Sequence, residues 1–321
     1  MIGKIYGTGS YTPKLVWDNN KLAEMVETSD TWIRERTGVK ARHIADETET
    51  TAYMAAQAAK AALEDAKTDA ADIDLIILAT VSPGDLMPCT ACAVQNMIGA
   101  VNATCFDLNA ACTGFVLALN TVQAYLSQGI YKNALVIGAE TLSNLTDWTD
   151  RTTCVLFGDG AGAAVVKAES DGVYAQMTKS IGEKGKYLTC ASRNTKKYID
   201  GPAAPETYMW MDGKEVFKFA VSKVPEAIRE VLEKQKMKSE DVHYYLLHQA
   251  NERIVQSVAK RLGEDISKFP LNMEEYGNTS SASIPILLDE LNKANKIAPG
   301  DYLVLSGFGA GLTYGASLIQ W

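Results

Sequence analysis

Apolar, strand-like runs alternate with alanine-rich amphipathic stretches along most of this chain, and few architectures accept that rhythm. The pattern predicts helices over 50–66, 91–98 and 115–126, and strands over 73–80, 104–108, 134–139 and 163–166. Strands that alternate with helices build sheets covered by helices, the α/β class. The rhythm also repeats. Leu303-Val304-Leu305 echoes Leu135-Val136-Ile137 (303 − 135 = 168), and Tyr244-Tyr245-Leu246 echoes Ile76-Ile77-Leu78 at the same spacing. Two echoes at one offset predict a duplicated α/β unit. The polar turn Glu169-Ser170-Asp171-Gly172 divides it into halves at 1–171 and 172–321. At this offset Cys112 corresponds to Ser280. If the halves pair about a pseudo-two-fold axis, their strand-to-helix turns converge on a shared cleft, where a two-lobed enzyme places its chemistry. The stretch 190–212, with Gly201-Pro202 and Pro205 among polar residues, reads as a long loop over a surface or a cleft.

Composition narrows the function classes. With 47% apolar and 22% charged residues, the 321-residue chain is an ordinary globular protein rather than a disordered one. The apolar run at 73–81 is far too short to span a bilayer. The opening MIGKIYGTGSYTP has no signal-peptide core, so a soluble, cytoplasmic protein is expected. A net charge of −8 argues against a general nucleic-acid binder. Six scattered cysteines suit a reducing compartment. Cys89-Thr90-Ala91-Cys92 is formally a CxxC, but His43, His243 and His248 do not complete a metal-ligand spacing. It reads as two thiols on one turn of a packed helix, and no metal is expected.

The stretch DLNAACTGF, residues 107–115, sets one cysteine among small residues between a strand and a buried helix. A helix N-terminus lowers a thiol pKa, which suits a nucleophile. On this stretch alone a buried core cysteine is the commoner reading, and the rest of the chain must decide. His248 follows the apolar run Tyr244–Leu247 and opens HQAN; the carboxyl end of a strand is where α/β sheets present functional groups. Its alternative is a core histidine satisfied by a carbonyl. Asn278 lies in GNTSSAS, either as a functional amide or as a simple turn asparagine. SGFGAG, residues 306–311, lets backbone approach a substrate closely, and neither it nor GDGAG at 158–162 fits a dinucleotide or P-loop pattern.

Taken together with SDTWIRERTGV (29–39) and VLFGDGAGA (155–163), these motifs closely resemble the β-ketoacyl-acyl carrier protein synthase III family, the initiating condensing enzymes of bacterial fatty-acid synthesis. Their order and spacing match from the first strand to the last residues. The resemblance implies a thiolase-like fold, with two duplicated α/β halves in a five-layered αβαβα body, and a homodimer. It places the catalytic cysteine, histidine and asparagine on Cys112, His248 and Asn278. Cys112 would attack a short acyl-CoA, and malonyl-acyl carrier protein would then lose CO2 and capture the acyl group. His248 and Asn278 would donate hydrogen bonds to the developing enolate, and an asparagine, which cannot be a base, favours decarboxylation over proton abstraction. The backbone N–H groups of Cys112 and Ala310 would form a second oxyanion hole, and Phe308 would shield the malonyl site. Acyl-CoA and the carrier are substrates, and no cofactor is implied.

The same resemblance separates relatives. Elongating synthases carry a second histidine at the position of Asn278, thiolases a further cysteine in the glycine loop, and hydroxymethylglutaryl-CoA synthases a glutamate base that this sequence does not place. For the CoA arm the matches are Thr28, Trp32, Arg36, Arg151, Gly213, Phe217, Ala250 and Asn251; Trp32 and Arg151 could sandwich an adenine and Arg36 could meet phosphate. For docking of an acidic carrier they are Gln249, Arg253, Lys214, Lys218, Lys260 and Arg261, which otherwise read as an ordinary solvated face. Met87 would reach into a partner's acyl pocket, with Leu142 and Phe157 as further walls. Family members with a bulky aromatic there tend to take acetyl groups; methionine, long but flexible, could admit somewhat larger primers, and acetyl or other short primers are expected. A relative diverted to specialised metabolism, a cysteine-dependent thioester hydrolase and a silent scaffold are the competing readings; the hydrolase would need a water-activating base that Asn278 is not.

Overall fold

The computed structural model describes residues 1–191 and 208–321. Two sheets form the frame. The first contains β1 (Ile2–Tyr11), β2 (Leu75–Ala79), β3 (Thr104–Leu108), β4 (Asn133–Glu140) and β5 (Gly160–Glu169), in the spatial order β1-β5-β4-β2-β3. The second contains β6 (Tyr174–Ser180), β7 (Tyr244–Leu247), β8 (Tyr302–Gly309) and β9 (Thr313–Gln320), ordered β6-β9-β8-β7. Each sheet has antiparallel pairs on one side and parallel pairs on the other. The order β1-β5-β4-β2 therefore recurs as β6-β9-β8-β7, and β3 has no counterpart among the described residues.

Helices fill three layers around the sheets. α1 (Thr51–Asp65) and α2 (Thr90–Ile98) cover the outer face of the first sheet, and α3 (Gly114–Ser127) lies between the sheets. α4 (Gly213–Lys234) and α5 (Glu252–Leu262) cover the outer face of the second sheet, while α6 (Ser283–Lys293) joins α3 in the middle. This is the five-layered αβαβα, thiolase-like body. The helices follow from their sequences. Thr50 caps α1 by accepting from the Tyr53 N–H, and its buried alanines, such as Ala55, Ala58 and Ala62, let it lie close on the sheet.

Alternation along the strands fixes the register of the two halves. Leu75, Ile77, Ala134 and Val136 face the central layer together with Leu246, Leu303 and Leu305. Ile76, Leu78, Leu135 and Ile137 face outward in the first half, and Tyr245, Leu247 and Val304 outward in the second. The halves thus superpose at 303 − 134 = 169, not at the 168 expected from apolar triplets. A slip of one residue turns every side chain of a strand to the other face, and an apolar run buried on both faces hides that slip. At the corrected offset Cys112 corresponds to Ser281 and Ala111 to Ser280.

The irregular stretch 190–212 lies largely outside the described residues. At its two ends Leu188–Thr189 and Trp210–Met211 pair as a short antiparallel ribbon, an ordered feature its composition does not announce.

Candidate active site

The two sheets converge on one cleft of about 1630 Å³, and the chemistry-bearing motifs open into it. Cys112 stands on a tight 3-10 turn, Ala111–Thr113, that leads into α3. Ala111 is held at φ +47°, a left-handed conformation that costs strain in a non-glycine residue and turns the next side chain outward. The tip of β8 packs directly on this turn: a Cβ on Gly309 would lie 2.9 Å from the Cys112 nitrogen. Burial pushes the Cys112 thiol up to about 12, against the pull of a hydrogen bond with the Ser280 hydroxyl. The helix start is where the sequence places it, but the expected lowering of the thiol pKa is outweighed by desolvation. The resting group is therefore the thiol.

His248, at the end of β7, is 2% exposed, and its Nδ1 lies 2.7 Å from Ser283 Oγ. Ser283 Oγ also accepts from the Gln249 N–H. With that N–H on the hydroxyl, its own proton is free to go to Nδ1, which leaves the imidazole proton on Nε2. Burial lowers the His248 pKa to about 3, so the ring is a neutral donor at physiological pH. Phe308 packs edge-on against it, ring centroids 5.2 Å apart.

Asn278 is fixed by backbone at both ends. Its N–H donates to Leu156 O at 2.8 Å and its carbonyl accepts from the Gly158 N–H, so it bridges to Phe157. Its side-chain oxygen accepts from the Ser280 N–H at 2.9 Å, which turns the amide NH2 to the ligand side. Cys112, His248, Asn278, Phe308 and Ala310 all line the cleft.

The cleft continues to an aromatic, cationic mouth. Trp32 sits on the helix Asp30–Thr37, capped by Ser29, with the Arg36 guanidinium 4.5 Å and the Arg151 guanidinium 5.2 Å from its ring centroid. Arg151 also donates to Glu27 O, and the Thr28 hydroxyl is buried without a partner among the described residues. Asn251 caps α5 with its oxygen and ties that helix to the Trp32 helix by donating to Arg36 O at 2.9 Å. Gly213 and Phe217 open α4, and they and Ala250 line the same mouth.

Other predicted positions fall differently. Leu142 and Phe157 line the cleft, whereas Met87 is 87% exposed and Leu86 takes a place in its own chain's wall. Gln249 is 1% exposed; its amide donates to Leu247 O and accepts from the Asn272 N–H, so it cannot meet a docking partner. Reading it with its HQAN neighbours mistook a buried brace for a surface contact. Arg253, Lys260 and Arg261 lie exposed along α5, and Lys214 and Lys218 in the first turns of α4, where Lys218 pairs with Glu215. The sequence reading named Ser280 only as the counterpart of Cys112 and gave it no role, and it passed over Ser283, although GNTSSAS displayed both, and Glu140, which only closes an apolar strand.

A thiol on a strained turn, two neutral donors lining the same cleft and a long channel with a cationic, aromatic mouth fit an acyltransferase of thiolase-like build. Family models described as 3-oxoacyl-[acyl-carrier-protein (ACP)] synthase III match residues 106–185, and its C-terminal model matches residues 232–321. The chain is 48% identical over 320 residues to the beta-ketoacyl-[acyl-carrier-protein] synthase III of Clostridium novyi, covering 99% of this chain and 98% of that one. A relative of the same description from Clostridium botulinum is 47% identical over the same shares. The solved 3-oxoacyl-[acyl-carrier-protein] synthase III of Aquifex aeolicus superposes with a TM-score of 0.92 at 45% identity, over 99% of this chain and all of that one. The priming β-ketosynthase of the R1128 polyketide pathway gives 0.94 at 35% identity, over 99% and 96%. The chain belongs to the 3-oxoacyl-[acyl-carrier-protein] synthase III family and is a condensing acyltransferase.

Proposed function

We propose that the chain condenses a short acyl-CoA with malonyl-acyl carrier protein to 3-oxoacyl-acyl carrier protein, with Cys112 as nucleophile. The observation that carries this reading is the convergence of Cys112, His248 and Asn278 on one channel whose mouth presents Trp32, Arg36 and Arg151. In the first stage Cys112 sulfur bonds to the acyl carbonyl, the bond to CoA sulfur breaks, and the cysteine proton ends on CoA. The Cys112 and Ala310 N–H groups hold the oxyanion. In the second stage the malonyl carboxylate leaves as CO2, and its electron pair forms an enolate held by His248 Nε2–H and the Asn278 NH2. The enolate carbon attacks the acyl carbonyl, the bond to Cys112 breaks, and the thiolate recovers one proton from solvent. A donor pair without a base suits this order, because loss of CO2 itself makes the carbanion.

The halves divide at 1–171 and 172–321, and Thr28 adds its buried hydroxyl to the CoA mouth. Arg253, with Lys260 and Arg261 on the same helix and Lys214 and Lys218 on the preceding one, α4, forms the docking face for an acidic carrier. The chain acts as a cytoplasmic homodimer, in which Met87 enters the partner's acyl pocket beside Leu142 and Phe157 and keeps it to acetyl or similarly short groups. No cofactor takes part.

The test is intact-protein mass after incubation with equimolar acetyl-, propionyl-, isobutyryl- and octanoyl-CoA. One short-acyl adduct, lost in Cys112→Ala, supports the reading and names the primer. No adduct, or slow release of free acid, points to a diverted transferase or a hydrolase.

A further inference from the structure

Beside the nucleophile lies a buried glutamate that the reaction does not use. Glu140 ends β4, is 0% exposed, and does not line the cleft. Its Oε2 accepts from three donors of the first half: Val81 N–H at 3.0 Å, Ser82 Oγ at 2.6 Å and Thr80 Oγ1 at 3.1 Å. Ser82 Oγ in turn accepts from the Thr141 N–H, and Thr80 Oγ1 from the Ser82 N–H, so both hydroxyl protons point at Oε2. On its other side Oε1 lies 2.8 Å from Ser281 Oγ, which is also 2.9 Å from Ala79 O.

The proton count around Ser281 decides the state of this acid. A serine hydroxyl has one proton, a backbone carbonyl has none, and a carboxylate has none. Two close contacts from Ser281 Oγ to two such acceptors leave one of them without a proton. A proton on Oε1 completes the chain: Glu140 donates to Ser281, Ser281 donates to Ala79 O, and Oε2 keeps its three donors. We infer that Glu140 is a neutral carboxylic acid that clamps the turn Ser280–Ala282 to the first half and so positions the nucleophile. Ser281 is the pseudo-symmetric counterpart of Cys112, and its neighbour Ser280 both hydrogen-bonds the Cys112 thiol and holds the Asn278 side-chain oxygen. The clamp thus fixes two groups facing the reacting carbon through one strained residue, Ser280 at φ +50°. Desolvation acts in the same direction: it raises the Glu140 pKa, against the pull of the hydrogen bonds from Ser82, the Val81 N–H, Ser281 and Ser280. Its hydrogen-bond partners are all neutral, and the titratable group near it is the Cys112 thiol.

The assignment of a positioning role rests on the reading of Cys112 as the acylated group; the protonation state does not, so the two can fail separately. Infrared difference spectra of the wild-type protein minus Glu140→Gln at pH 8 are expected to show one protonated-carboxyl C=O band. Its absence overturns the neutral acid. Glutamine can supply the same donor to Ser281 and the same acceptor to the three first-half donors. Glu140→Gln is therefore expected to acylate Cys112 within about twofold of wild type, with an unchanged pH profile for thiol alkylation. Glu140→Ala is expected to slow acylation about tenfold or more while retaining a folded protein with the same near-ultraviolet spectrum. A Glu140→Gln profile shifted to lower pH reports a removed negative charge and overturns the proposal, as does a Glu140→Ala protein that acylates at the wild-type rate. If Glu140→Ala does not fold, Glu140→Asp replaces it: the shortened acid loses contact with Ser281, and the same slowing is expected.

Discussion

The 3-10 turn Ala111–Thr113 and its counterpart Ser280–Ala282 both begin with a left-handed residue, φ +47° and +50°, and both head a helix of the middle layer. Their surroundings part from there. Cys112, on the first turn, is half-buried and opens to the cleft, under the glycine tip of β8. Ser281, on the second, is 1% exposed and held by Glu140 and Ala79 O. At the equivalent of Glu140 the first turn meets Gly309, which has no side chain to cover the sulfur. One backbone device opens to the cleft in one half and is sealed as a brace in the other. The difference lies in a few side chains, not in the fold.

If that division of labour holds, nothing in the second turn can stand in for Cys112. Cys112→Ala is expected to lower condensation by roughly 10⁴-fold or more, the scale of losing a covalent nucleophile. Loss of CO2 from malonyl-acyl carrier protein, measured as released CO2, should persist in that variant because its donors are intact. Residual acylation mapped to Ser281 would show that the brace is not sealed. The next largest effect belongs to the donors. His248→Ala or Asn278→Ala is expected to slow decarboxylation about 10²–10³-fold, the scale of a lost oxyanion donor. With its folded pKa lowered to about 3, His248 stays neutral above that pH, so decarboxylation should show no imidazole inflection between pH 5 and 8. An inflection near pH 6.5 that disappears in His248→Ala would contradict a neutral donor.

How much of this could be read beforehand differs between strands and site. The strand bounds at 104–108 and 244–247 survive unchanged in the structure, the first as a half-buried edge strand and the second because packing on both faces demands an apolar run there. The offset of the halves came out one residue short for the same reason: runs buried on both sides carry no mark of which face is which. The motifs around Cys112, His248 and Asn278 were legible only as a set, since each residue alone has an ordinary structural reading. Gln249 sat in a motif and was taken for surface, yet its amide satisfies backbone. Glu140 carried no local signal, because its partners Ser82 and Ser281 lie 58 and 141 positions away in the chain.

Two glycines in equivalent places give the finest contrast between the turns. Gly138 of β4 lies on the second turn, where a Cβ would sit 2.2 Å from Ser281 O and 2.7 Å from its carbonyl carbon. Gly307 of β8 lies on the first, where a Cβ would sit 3.0 Å from Thr113 Cα and 3.2 Å from Cys112 O. The first clash falls on backbone at a distance no real contact adopts, so the sheet and the brace must move apart. The second asks for a shift of a few tenths of an ångström, in a turn with the open cleft on its far side. Gly138→Ala is therefore expected to cost about 3 kcal/mol, the upper range for overpacking, and Gly307→Ala about 1 kcal/mol. Urea midpoints with unchanged slopes measure both. In Gly307→Ala the displaced atoms belong to the turn of Cys112, the proposed nucleophile, and small misplacements of reacting groups are costly to rate. Its acylation should fall about tenfold, by more than its stability loss suggests. Equal stability losses at the two positions would mean that the sealed turn is packed no more tightly than the open one, and that Ser281 is buried without being clamped.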